Sequence, residues 1–215
     1  MGKRKIHAIL SLMFAAAFAM WTAAVKCVDV QAIGPNGSSV GLAAINAAVH
    51  ELTGVHMALY TVTDWLGLIP VGTGLCFALL GAAQLVRRKS LLKVDGSILA
   101  LGVFYITVLA AYLIFEEVVV NYRPVLIDGK LEASYPSSTT VLTLCVMPTA
   151  MLQLSVRVRD RVVRRAALAL IVVFTVFMVA GRLVSGVHWL SYIIGGILLS
   201  GGLVSLYEFA YYSFE

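Results

Sequence analysis

Apolar positions along this chain gather into six long runs, at about 6–25, 57–86, 97–120, 139–156, 166–184 and 189–211. A helix rises about 1.5 Å per residue, so each run can cross a hydrocarbon core of about 30 Å. Strands facing lipid would alternate in polarity residue by residue, and these runs do not, which argues against a membrane barrel. Glycine and proline inside the runs (Pro70, Pro148, Gly195, Gly196) are compatible with spans, because neighbouring helices can satisfy the backbone groups they loosen. The pattern predicts an all-α integral membrane protein, one domain over 1–215 with six transmembrane helices. Between the first two spans lies a loop, 26–56. Its Gly34-Pro35-Asn36-Gly37 stretch marks a turn, and Ser39 is the expected N-cap of a short interfacial helix ending near Gly54, a lid or a packing element.

Charge placement adds an orientation. Hydrophobic residues make up 60% of the 215 and charged ones 13%, about half the share of a soluble domain. Of the 16 Lys and Arg, 12 precede the first run or follow the second and fourth: Lys3 to Lys5, Arg87 to Lys93 and Arg157 to Arg165. All fall on one side of a six-span layout. The positive-inside bias makes that side cytoplasmic, with both termini there, in a multi-pass plasma-membrane protein. The net charge of +5 is thus a topology signal and implies no nucleic-acid partner. The first run, preceded by Lys3-Arg4-Lys5, resembles a leader peptide. Its length exceeds a leader's apolar core, and the charge alternation closes only if it is kept, so it is read as a span. Cys27, Cys76 and Cys145 show neither a disulfide framework nor metal-ligand spacing, so no metal and no cofactor is implied. The oligomeric state leaves no mark in the sequence.

Four basic residues fall outside the basic loops: Lys26, Arg123, Lys130 and Arg182. Arg182 stands at the end of the fifth run, and an arginine at membrane depth needs a partner. His188 follows six residues later, across Gly186, whose freedom lets the chain turn so that both side chains face one cavity. Arg123 lies on the adjoining outer loop. Ser137 and Ser138 open the fourth span. Taken singly, a snorkelling arginine and a capping histidine are the plainer readings. Together, two guanidiniums, an imidazole, hydroxyls and free helix-start amides make an oxyanion site, best suited to phosphate.

These residues resemble the type 2 phosphatidic-acid phosphatase superfamily, which includes the vanadium haloperoxidases. Its signatures run K-x6-RP, PSGH and SR-x5-H-x3-D. Arg123-Pro124 matches the end of the first, Pro136-Ser137 the start of the second, and Arg182 with His188 the third. The resemblance implies a six-span helical bundle and a two-step phosphoryl transfer. His188 would be the nucleophile forming a phosphohistidine. Arg123, Arg182, Ser137 and Ser138 would hold the phosphate. The implied partners are membrane lipids and a lipid phosphate or diphosphate, met on the extracytoplasmic side.

Five positions depart from those signatures: Glu116 for the lysine, Ser138 and Thr139 for Gly-His, Gly181 for the serine and Tyr192 for the aspartate. Threonine is no general acid near neutral pH, a loss worth about 100- to 10,000-fold. That penalty is smallest for a good leaving group, so a diphosphate such as a polyprenyl diphosphate is the expected substrate. The alternative is a catalytically impaired member that binds or translocates a lipid phosphate. Thr139, Tyr192 and Glu116 (with Glu117) are candidate substitutes for the missing groups, as are His50 and His56 in the first outer loop. Asp64, the acid inside the second run, is the one residue that would suit a transporter, although it is better placed near the outer end of that run beside Thr61 and Thr63.

Overall fold

The computed structural model describes residues 2–213. Among them are eight α-helices and no strand beyond isolated bridges. Helix α1 is Lys3–Cys27, α2 Ala43–Thr53, α3 Met57–Leu66, α4 Leu68–Arg88, α5 Gly96–Glu117, α6 Ser138–Arg157, α7 Arg161–Val184 and α8 Leu190–Tyr211. Six helical segments are long and apolar enough to cross a membrane, with α3 and α4 together forming one of them. The expected all-α, six-span architecture is the one observed.

Helices α6 and α8 form the middle of the bundle, each with half of its apolar window buried, and the others surround them. Leu101 and Phe104 of α5, Val141 and Cys145 of α6, and Tyr207 and Tyr211 of α8 pack as one core. Helix α1 lies along α8, where Ser11 Oγ donates to the Gly202 carbonyl at 3.0 Å and Trp21 Nε1 to the Ser191 carbonyl at 2.9 Å. Large apolar side chains such as Leu12, Leu79, Val103 and Leu170 remain exposed. They face outward, as lipid contact requires.

Three local differences from the sequence reading have physical causes. The run at 57–86 is not one helix but two, broken at Gly67. Pro70 has no N–H to offer the Leu66 carbonyl, so the ladder cannot run through. The break lets α3 lean on α7 while α4 packs on α5 and α6. Helix α2 starts at Ala43 rather than after Ser39, because Asp29 reaches back and accepts from the Ala44 amide at 2.7 Å. That bond, with one from Gln31, holds the Asp29 carboxyl below its usual range. The fifth span starts at Arg161, where Asp160 Oδ1 accepts from the Val163 amide at 2.8 Å, a side-chain N-cap.

Helix α2 is tied to the bundle rather than resting on it. Buried Asn46 accepts from the Ser191 amide at 3.0 Å and donates to Ser191 Oγ at 2.9 Å, which caps α8 from outside.

Candidate active site

One turn places the central histidine. Helix α7 ends at Val184, and Gly186 follows in the left-handed region at φ 69°. A Cβ there would meet the Gly54 carbonyl oxygen at 1.8 Å, so only glycine fits. The reversed chain returns His188 over the last turn of α7. Arg182 Nη2 then lies 3.0 Å from His188 Nε2. Both residues are almost fully buried, Arg182 at 1% and His188 at 2% exposure.

The second arginine arrives on the segment 118–137. Asp128 and Gly129, at φ 49° and 74°, make a tight turn that folds this segment back on itself. Tyr122 pairs with Ala133, and the Arg123 amide donates to the Glu132 carbonyl at 3.0 Å. That register sets Arg123, Glu132 and Ser134 side by side. Arg123 Nη1 lies 3.3 Å from His188 Nε2, and Arg123 Nε donates to Glu132 Oε2 at 3.0 Å. Ser134 Oγ lies 2.6 Å from His188 Nδ1.

Helix α3 supplies the remaining wall. Thr63 Oγ1 accepts from Arg182 Nη1 at 3.4 Å, and Asp64 Oδ1 is 3.6 Å from the same nitrogen. The Tyr60 ring stacks under both guanidiniums, 4.8 Å from Arg182 and 5.9 Å from Arg123. Gly181 explains this approach: a Cβ at that position would come within 2.8 Å of Thr63 Cγ2. The glycine found where the signature has serine is what admits α3.

Guanidinium groups donate and never accept. Two of them at Nε2 therefore mark that nitrogen as the one carrying a lone pair. Burial, Arg182 and Arg123 together hold the His188 imidazole well below its ordinary 6.5, so the ring is neutral. A neutral ring without a proton on Nε2 carries it on Nδ1, facing Ser134.

The other sequence candidates fall elsewhere. Tyr192 does not orient His188, since its hydroxyl donates to the Tyr122 carbonyl at 3.0 Å. Arg123 pairs with Glu132, not with Glu116 or Glu117. His50 packs against the Trp189 ring at 5.2 Å, and His56 Nε2 bonds the Thr53 carbonyl at 2.9 Å, so neither is at the cradle. Ser137 is fully buried: its amide donates to the Tyr192 carbonyl at 3.3 Å, and its hydroxyl accepts from Thr140 at 3.0 Å. Ser138 and Thr139 instead line a large cavity. Glu132, Ser134, Tyr60 and the Asp64–Arg182 pair were not foreseen as site members. The Asp128-Gly129 turn was the signal that could have found the first two, and an acid in the second run at Arg182's depth the last.

The cavity, about 1360 Å³, opens between α4, α5 and α6. Its long part is apolar, with Leu75, Ile98, Tyr105 and Leu142 among its walls, and its polar end carries Arg123 and Ser134.

The architecture matches the crystal structure of a transmembrane PAP2-type phosphatidylglycerolphosphate phosphatase from Bacillus subtilis. The TM-score is 0.58 over 92% of this chain and 94% of that one, at 19% identity. The two share a fold. No family model and no curated protein matches the sequence. Within this fold, the cradle is built by the ends of α3 and α7, the turn that leads into α8 and the folded segment 118–137, with the start of α6 lining the cavity beside it.

Proposed function

We propose that this chain is a membrane lipid-phosphate hydrolase whose nucleophile is His188 Nε2. One observation carries the reading: two guanidiniums, Arg182 fully buried and Arg123 partly so, converge on His188 Nε2, and as donors they make that nitrogen the acceptor. A phosphoryl group drawn in by two arginines meets a lone pair there. A structural histidine has no need of two cations on its bare nitrogen.

In the first step the Nε2 lone pair forms the N–P bond, and the P–O bond to the lipid breaks with its electron pair on the departing oxygen. Arg123, Arg182 and the first-turn amides of α6 hold the remaining oxygens where charge develops. Water then attacks phosphorus and releases phosphate, returning the pair to Nε2. No residue is consumed. The apolar cavity running from Arg123 into the bundle accommodates a lipid chain. The basic loops at the opposite end of the bundle support an extracytoplasmic cradle in a plasma-membrane protein.

Thr139 occupies the proton-donor position of the PSGH signature and cannot do that work. A diphosphate, which leaves as a phosphomonoester of low pKa, is therefore favoured over a monophosphate, which leaves as an alkoxide. The same residue favours the second reading, a cradle that binds or moves a lipid phosphate without cleaving it. Purified protein given polyprenyl diphosphate and phosphatidic acid separates these. Phosphate release from the diphosphate, faster than from phosphatidic acid and abolished in His188→Ala, supports the hydrolase. Binding of both lipids with no release by wild type supports the binder. Equal turnover of the two lipids removes the diphosphate preference.

A further inference from the structure

We infer that Ser134 is the positioning residue of His188, doing with a neutral hydroxyl what an acid four residues beyond the histidine does in the signature. The inference rests on the reading of His188 as the nucleophile. Position 192 holds a tyrosine whose hydroxyl is engaged by the Tyr122 carbonyl, so α8 offers the ring nothing. Ser134 comes from a different segment. Its amide donates to the Asn121 carbonyl at 3.2 Å, one rung of the ladder that also sets Arg123. Its hydroxyl meets Nδ1 at 2.6 Å, at only 9% exposure.

The direction of that bond follows from the other nitrogen. With Arg123 and Arg182 both donating toward Nε2, the imidazole proton resides on Nδ1 and Ser134 Oγ accepts it. The contact fixes the tautomer and the rotation of the ring, so the Nε2 lone pair points between the guanidiniums. One turn thus positions a phosphate-binding arginine and the partner that aims the nucleophile. A hydroxyl supplies a dipole but no charge. As the N–P bond forms, the ring becomes cationic, and Ser134 stabilises that cation less than a carboxylate would.

Nitrogen NMR of the full-length protein in detergent, with isotope-labelled histidine and His188→Gln for assignment, tests this without substrate. Wild type is expected to show a neutral His188 with its proton on Nδ1. Ser134→Ala is expected to mix the two tautomers and to lower kcat about tenfold at unchanged KM, the worth of one neutral hydrogen bond. Ser134→Thr is expected to keep both the tautomer and the rate. Ser134→Asp, which retains an acceptor should Ala fail to fold, is expected to raise the pH at which the ring protonates. A wild-type proton on Nε2 overturns the inference. So do ring signals that Ser134→Ala leaves unmoved, or Ser134→Asp leaving the protonation pH unchanged. If wild type hydrolyses no lipid phosphate, the hydrolase reading fails while the spectra still decide the role of Ser134.

Discussion

Asp64 Oδ1 lies 3.6 Å from Arg182 Nη1, joining the end of α3 to the last turn of α7. The arginine is buried and the acid is not, so the acid is the replaceable member. Asp64→Asn is expected to lower stability by about 1 kcal/mol or less, the range of an exposed pair. It is also expected to tighten binding of inorganic phosphate, because one guanidinium loses its competing anion. Thermal unfolding in detergent and phosphate titration measure the two effects. Weaker phosphate binding would place Asp64 outside the cradle.

Thr139 lines the cavity, its methyl 3.6 Å from where a Cβ on Gly67 would lie. Installing an imidazole there, Thr139→His, is expected to raise turnover of phosphatidic acid on the order of 100-fold. Turnover of a lipid diphosphate should change much less, since its leaving group needs little protonation. Initial rates on both lipids give the ratio, and an unchanged ratio counts against the proton-donor argument.

Gly186→Ala is expected to be severe. The new methyl would meet the Gly54 carbonyl oxygen at 1.8 Å, on a backbone already in the left-handed region. Both faults act on the turn that carries His188. The melting temperature should fall by several degrees, and phosphate release should be lost with it. Gly129→Ala, also at positive φ but with open space around the added carbon, should cost only about 1 kcal/mol.

The pH dependence has a definite sign. The His188 imidazole, facing Arg123, Arg182 and Ser134, is held below 6.5 by burial and by the two cations. The unfolded chain therefore binds a proton at His188 before the native state does. Native stability is intact above about pH 6.5 and is lost as pH falls toward the folded-state value, by at most about 1.4 kcal/mol per pH unit. His188→Gln should flatten that slope in unfolding measurements from pH 7 down to about 5. An acid limb of kcat/KM set by His188 should likewise lie well below pH 6.5.

Orientation is open to direct labelling. Cys27 is exposed at the end of α1 on the side that carries the cradle. In a Cys76→Ser background, a membrane-impermeant maleimide should label Cys27 in intact cells, whereas Lys89→Cys should require permeabilisation. The opposite result would turn the protein over and put the cradle in the cytoplasm.

Much of this fold is written in composition, because a bilayer demands long apolar helices and little else. The break at Gly67 was harder to foresee. Its cause, the missing amide of Pro70, acts at short range inside a run that reads as continuous. In the site, Arg123, Arg182 and His188 were legible because their spacing follows a signature and a helix end. Ser134 and Glu132 were not, because their place depends on the register of a folded loop, which no periodicity announces. Counting along the chain points to Tyr192 and Glu116, while the partners of His188 and Arg123 come from across space, Ser134 and Glu132.

Each guanidinium in the cradle already faces a carboxylate, Arg123 with Glu132 and Arg182 with Asp64. The fixed charges nearly cancel a few ångströms away, so the unloaded site casts little field into the surrounding water. A dissolved anion would feel scant pull from a distance. On the proposed reading a lipid needs none: held in the bilayer, it would search a plane and arrive sideways between α4, α5 and α6. Such a site gives up long-range attraction and keeps recognition for contact.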